Sequence, residues 1–386
     1  MIPRAHIRPR TVPELDLDAI IDDTTTQVVV CCGAGGVGKT TTSAAIALRA
    51  ADRGRHVVVL TIDPARRLAQ SLGIEALDNT PREVVGVAGT GSLHAMMLDM
   101  KSTFDEIVLS HTDPKSAEQI FANPFYQSLS SSFAGTQEYM AMEKLGQLVA
   151  EGQWDLIVVD TPPSRSALDF LDAPERMSRF LDGKVLKVLL APARTGGRMS
   201  LKIVTAGMSM FTRVLTKIIG GEVLTDISAF VGALDTMFGG FRARAQATYD
   251  LLRRPGTSFI VVATPEPDAL REASYFVDRL ESESMPLGGV VLNRIHPVQA
   301  REISALKARR AAERLAPDHE SVADHLIVTA AALRVHADLL DRAEREQKVA
   351  DRFFQAHPKV AVAEVVALIG DAHDVADLRS IAENVS

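Results

Sequence analysis

Residues Gly33-Ala34-Gly35-Gly36-Val37-Gly38-Lys39-Thr40 constrain this chain more than any other segment. They fill the pattern G-x-x-x-x-G-K-[ST] in full. Before them, Gln27–Cys32 is a continuous apolar run; after them, Lys39–Arg53 has helical spacing and stops at Gly54. Such a run reads as a strand buried on both faces of a parallel sheet. Strand, glycine loop and helix together make a cradle whose backbone N–H groups and helix N-terminus face phosphate oxygens. Side chains would block that approach, which accounts for the glycines. Gly35, Gly36, Val37 and Gly38 then form the cradle. Lys39 bridges the β- and γ-phosphates, Thr40 coordinates Mg2+ and Thr41 reaches the α-phosphate, so ATP with Mg2+ is the expected ligand pair. A purely structural glycine turn is the competing explanation, and the strand–loop–helix setting weighs against it.

The same rhythm continues along the chain. His56–Ile62 completes a βαβ unit. Leu93–Leu98, Trp154–Val159, Ser258–Val262, Gly289–Leu292 and Val360–Leu368 read as further strands, with helices over Gln137–Ala150 and Asp268–Glu281. This alternation predicts an α/β fold: an open, mostly parallel P-loop NTPase sheet with helices on both faces. Two stretches, about 100–135 and 172–250, are helical in pattern and predict insertions forming a subdomain at the C-terminal edge of the sheet. Residues 301–355 are Ala-, Arg- and Glu-rich and helical in pattern. Pro3, Pro9 and Pro13 suggest an extended stretch over 1–13, followed by a short helix over 14–23, within an N-terminal arm of residues 1–26. The rest, 27–386, reads as one ATPase domain.

Composition narrows the function classes. Of 386 residues, 46% are hydrophobic and 24% charged, which suits a soluble globular chain with a sizeable core. A net charge of −7 gives no basis for general nucleic-acid binding. Cys31 and Cys32 are the only cysteines. Adjacent strand residues point to opposite faces, so the pair makes a poor metal site and a poor disulfide. A reducing cytoplasm fits that usage. Met1–Arg10 is basic with no apolar stretch behind it, and no run of about 18 apolar residues occurs, so neither a secretory leader nor a membrane span is expected.

Two strand-end carboxylates carry candidate chemistry. Leu156-Ile157-Val158-Val159-Asp160 is an apolar strand ending in aspartate behind a phosphate loop, which suits a Walker B carboxylate holding Mg2+. Thr161-Pro162-Pro163-Ser164 would then face the γ-phosphate and move when it leaves. Asp63 closes the second strand and leaves the same edge of the sheet. It reads equally as the carboxylate that orients or deprotonates the attacking water and as the N-cap of a helix beginning Asp-Pro.

The run Gly35–Thr41, then Asp63-Pro64-Ala65, then Asp160-Thr161-Pro162-Pro163 resembles, in order and spacing, the anion-transporting ATPases. That family includes the arsenical-pump ATPase and the ATPase that targets tail-anchored membrane proteins. Gly135-Thr136-Gln137-Glu138, Ala263-Thr264-Pro265-Glu266 and Val291-Leu292-Asn293-Arg294 resemble further segments of it. The resemblance spans residues 27–300, with a weaker echo at 360–380, and looks closest to paired subunits of this family in actinobacteria. It implies that Asp63 activates water, that Asp160 serves Mg2+ and that Asn293 reads the adenine edge. It also implies a dimer closing on two nucleotides, and a helical subdomain reshaped by that closure. In the targeting branch this subdomain forms an apolar groove for a transmembrane helix.

The departures from the family pattern bear on partners. The family loop carries a second lysine where this chain has Ala34. That lysine reaches across the dimer to the partner's phosphates, so a symmetric homodimer of this chain lacks one group that stabilises transition-state charge. A homodimer or heterodimer is implied, with a lysine-bearing related subunit favoured. A nucleotide-binding regulatory subunit of weak activity is the alternative. Arg66 stands where the family has histidine, and Pro163-Ser164-Arg165-Ser166 stands where it has Pro-Thr-Gly-His; both changes add arginine near the expected phosphate site, and either arginine is a candidate substitute for the lysine. Arsenite binding and an interface zinc are not expected from two buried cysteines. Between Glu175 and Lys217 nine basic residues stand against two acidic ones, with leucine, valine and methionine between them. This suits a hydrophobic protein client or a membrane surface, and equally a solvated face over the subdomain's own core. The expected activity is an ATP-hydrolysing dimeric switch in the cytoplasm, with peripheral membrane contact left open. A small-molecule kinase would need an acceptor site that the sequence does not display.

Overall fold

A computed structural model describes residues 7–63, 67–123, 126–127, 136–162, 243–298, 300, 302–316, 323–368 and 374–384. Within them one sheet runs through the molecule. Its strands are β1 (Val28–Gly33), β2 (His56–Thr61), β3 (Arg82–Glu83), β4 (Ser92–Met97), β5 (Leu156–Asp160), β6 (Thr257–Ala263), β7 (Leu287–Ile295) and β8 (Val362–Val366). They lie in the order β3-β4-β2-β5-β1-β6-β7-β8. Every neighbouring pair is parallel except the short edge pair β3–β4. The open parallel sheet expected from the alternating runs is therefore the one found.

The central strands β1, β5 and β6 are buried at every position. Alternation divides their side chains between two cores. Val28, Val30, Cys32, Ile157 and Val159 enter one; Val29, Cys31, Leu156 and Val158 enter the other. Helices cover both faces. Met140 and Leu145 of α6 (Thr136–Glu151), Phe276 of α7 (Pro267–Ser282) and Phe353 of α9 (Asp324–Ala356) fill the first core. Ala44, Ala47, Leu48 and Ala51 of α2 (Lys39–Asp52) and Leu378 of α10 (Val375–Asn384) fill the second. Because strands buried on both faces have no polar side to show, they appear in sequence as unbroken apolar runs.

Several elements depart from the sequence expectation. The helical stretch 301–355 divides into α8 (Ala305–Leu315) and the 33-residue α9. The strand β3, the short α3 (Arg67–Ser71) and α10 had no counterpart in the reading. Of the first expected insertion, α4 (Met100–His111) and α5 (Pro114–Ala122) are described, and Phe104, Ile107 and Ile120 belong to the first core. The insertion at 172–250 lies outside the described residues except for a helical segment over 243–253. The N-terminal segment packs rather than extending freely. Ile7, Val12, Leu15, Leu17 and Ile21 are buried. The N–H groups of Ile7 and Arg8 both donate to Glu364 Oε1, and Leu15 N donates to Val362 O. These contacts cover the outer edge of β8, which would otherwise offer unpaired backbone groups.

At the N-terminal rim one guanidinium gathers three elements. Arg55 donates to Ile21 O of α1 (Leu17–Asp22) at 2.8 Å, to Thr26 O at 2.6 Å, and to Asp155 O just before β5. Arg55→Met would strand these carbonyls, and is expected to cost about 3 kcal/mol of folding stability. Equilibrium urea unfolding of the variant against the parent chain checks this.

Candidate functional site

The sheet brings the candidate residues to one rim, where β1, β2 and β5 end side by side. The register aligns Cys31 with Asp160 and Asp160 with Thr61. Beyond β1 the chain must turn sharply while touching β6. Gly33 has φ 148°, and a Cβ there would stand 2.1 Å from Val262 O. At the loop's far end Gly38 has φ 95°, and a Cβ there would stand 2.3 Å from Asn293 Nδ2. Gly38 is also the N-cap of α2 and makes no side-chain capping bond. The first-turn N–H groups of α2 thus remain available to an anion.

Lys39 is buried, and its Nζ donates to Ala34 O at 2.7 Å. The lysine therefore closes the loop upon itself. Burial holds its ammonium below the usual lysine range, while the carboxylates of Asp160 and Asp63 act in the opposite sense. Arg67, at the start of α3, also adds positive charge within reach of Lys39.

Asp160 has no exposed surface. Its Oδ2 accepts from Thr40 Oγ1 at 2.8 Å and from Thr61 Oγ1 at 2.9 Å. Its Oδ1 is buried with no hydrogen-bond partner. Burial pushes the carboxyl up to about 6, against the pull of the two hydroxyls and Lys39. A buried acceptor without a partner is rare in folded proteins and calls for a ligand or water. Carboxylate and hydroxyl oxygens are the donors that Mg2+ takes. Thr40 and Asp160 therefore fit a magnesium ion, with the unpartnered Oδ1 as the observation in favour.

Thr61, to which the sequence assigned no role, joins two strand ends. Its hydroxyl donates to Asp160 and accepts from Asp63 N at 3.2 Å. Asp63 stands close enough for its charge to act on both Lys39 and Asp160. Residues 64–66, which would distinguish a helix cap and which include Arg66, lie outside the described residues, as do Pro163 to Ser166 with Arg165. Cys31 lies in the same row, but burial pushes its thiol up to about 12, so it stays protonated.

Asn293 sits at the end of β7 and grips the loop. Its Nδ2 donates to Val37 O at 2.8 Å, and its Oδ1 accepts from Arg294 N at 2.9 Å. Arg294, in the left-handed region at φ 59°, donates from Nη1 to Gly36 O at 2.8 Å. Two consecutive residues thus hold two consecutive loop carbonyls. Beside them opens a cavity of about 500 Å³, bordered by Gly38 and Thr41 on the loop side. Its size lies within the range of small-molecule sites. His296, Arg342 and Glu346 also line it, none of which the sequence singled out. A lone histidine after a strand and a glutamate within a charged helix carry no local pattern by which to find them.

Comparison with known proteins points one way. The sequence pattern of the family described as Anion-transporting ATPase matches residues 26–320. The chain is similar to the ATPase GET3 of Malassezia globosa, 32% identical over 144 residues, covering 37% of this chain and 41% of that protein. It is also similar to the ATPase GET3 of Podospora anserina, 23% identical over 300 residues (77% of this chain, 81% of that protein). A third relative is the ATPase ARSA2 of Chlamydomonas reinhardtii, 27% identical over 290 residues (74% and 72%).

The buried carboxyl sets a pH dependence. Folded, Asp160 keeps its proton up to about pH 6, whereas an ordinary aspartate releases it near 3.8. Between those values the folded chain binds more protons than the unfolded one, so stability conferred by this group is lost as pH rises through the window. Asp160→Asn is expected to flatten that part of the curve. Urea unfolding in a chelating buffer on either side of the window is the measurement.

Proposed function

This chain belongs to the anion-transporting ATPase family, and from that premise we propose that it is a dimeric switch that hydrolyses Mg-ATP to reshape a helical subdomain that binds a protein or membrane client. The observation that carries the reading is the Asp160–Thr40–Thr61 cluster, with its unpartnered Oδ1, at the foot of a glycine-rich loop.

The chain's own groups divide the work. Backbone N–H groups of Gly35, Gly36, Val37 and Gly38 and the first turn of α2 bind the phosphates. Lys39 leaves Ala34 O and offers its ammonium to the β- and γ-phosphates. Thr41, which lines the cavity, serves the α-phosphate. Thr40 and Asp160 hold magnesium, which when bound neutralises charge on the β- and γ-oxygens. Asp63 orients a water against the γ-phosphorus and accepts its proton, while the bond to the β–γ bridging oxygen breaks. Thr61 ties Asp63 to Asp160, so departure of the γ-phosphate acts on the ends of β2 and β5 together. Asn293 contributes by holding the loop closed beside the nucleoside cavity.

Ala34 favours a second subunit. Its backbone carbonyl engages Lys39, but its methyl supplies no charge to the facing site. A related subunit with lysine at this position would restore that charge; the alternative reading is a nucleotide-binding regulatory subunit of a heteromeric ATPase, with weak activity of its own. Among the described residues no helix is long and apolar enough to cross a membrane. We place the chain in the cytoplasm, with peripheral membrane contact left open.

Lys39→Ala is expected to abolish ATP turnover, read as phosphate release; undiminished release would sink the proposal. The purified parent chain is expected to turn over slowly alone and faster when mixed with a lysine-bearing relative. Vigorous turnover alone would remove the case for a second subunit.

A further inference from the structure

The cavity beside the phosphate loop has two unlike walls. Val366, Leu368 and Ile381 make an apolar side, suited to the face of a base. His296, Arg342 and Glu346 make a polar side, drawn from the end of β7 and the middle of α9. Glu346 is buried at 7% exposure, an unusual place for a glutamate in a charged surface helix. Its Oε1 accepts from His296 Nδ1 at 2.7 Å and from Arg342 Nε at 3.1 Å, and its Oε2 accepts from His296 N at 3.1 Å. A carboxylate has about four acceptor positions. These three donors leave one on Oε2, in a residue that lines the cavity. His296 follows Asn293 by three residues, and Asn293 holds Val37 of the loop, so the carboxylate, reaching from α9, is bonded just beyond the strand that anchors the phosphate end. A nucleotide's sugar lies between its phosphates and its base.

We propose that Glu346 is a specificity-determining residue whose carboxylate accepts a hydrogen bond from a ribose hydroxyl of the bound nucleotide, with His296 and Arg342 fixing its orientation. This rests on the nucleotide reading of the phosphate loop given above. A buried acceptor built to meet a hydroxyl discriminates against a ligand that lacks it, because the acceptor is then left unpaired. The same carboxylate would also accept from an exocyclic amine of the base, so the test separates the two donors.

Isothermal titration of the full chain with ATP, 2′-deoxy-ATP, 3′-deoxy-ATP, inosine triphosphate and inorganic tripolyphosphate reads the effect, repeated with Glu346→Gln and Glu346→Asp. The parent chain is expected to bind ATP about tenfold more tightly than one of the deoxy analogues, as for a hydrogen bond to a charged group. Both variants are expected to bring ATP to the level of that analogue while leaving tripolyphosphate unchanged. Equal affinity for ATP and both deoxy analogues in the parent chain overturns the proposal, and so does a ratio that survives either substitution. Loss confined to inosine triphosphate overturns it in favour of the base. If Glu346→Gln does not fold, Glu346→Asp and the parent ratio still decide. If the folded parent chain binds no nucleotide at all, the loop reading fails together with this one, a result distinct from equal binding of every nucleotide.

Discussion

Burying a carboxylate costs free energy unless hydrogen bonds or a charge replace the lost water. Asp160 is met by two threonine hydroxyls on one oxygen and by no partner on the other. Much at the rim depends on that imbalance. Thr40 comes from the end of the loop after β1, Thr61 from β2, and Asp160 from β5, the strand between β2 and β1. The carboxylate therefore measures the mutual placement of three chain segments that are distant in sequence. It also stays partly protonated in a pH range where an exposed aspartate is fully ionised. A cation held at Oδ1 would favour the ionised form, and its binding would then depend on pH.

The loop itself is held by close approach as well as by hydrogen bonds. Gly33 lies against Val262 and Gly38 against Asn293, so β6 and β7 form a wall that no side chain could enter. Lys39 then crosses the loop from inside, while Asn293 and Arg294 grip it from outside. A cradle shaped before its ligand arrives loses less conformational entropy on binding. The left-handed Arg294 is the local cost of putting two side chains on two adjacent carbonyls.

Legibility in the sequence followed the range of the interactions. The phosphate loop was plain because its chemistry is contiguous from Gly33 to Thr40. The sheet was plain because β1, β5 and β6 are buried on both faces and so read as apolar runs. Asp160 and Asp63 stood out as carboxylates closing such runs. Asn293 was visible only through resemblance, as a reader of adenine, whereas the structure has its amide nitrogen on Val37 O. Arg294 stood beside Asn293 in the resembling segment with no role assigned, and Glu346 and His296 were invisible, because their partners are supplied by the fold from far along the chain. Ile7, Val12 and Leu15 were missed for a related reason. Scattered apolar residues among prolines have no period, and only the open edge of β8 makes them useful.

The length of α9 gives the cavity mechanical reach. A 33-residue helix is a rod of about 50 Å, and about 27 Å of it extends from Arg342 toward its N-terminus. There α8 packs along it, with Ala308, Ala312, Ala330 and Ala337 fully buried, so the pair is stiffened like a doubled beam. Arg342 and Glu346 lie beside the cavity at the other end of this span. Each degree of tilt at the cavity becomes about half an ångström at the far end, where Ile327 and Val328 meet solvent.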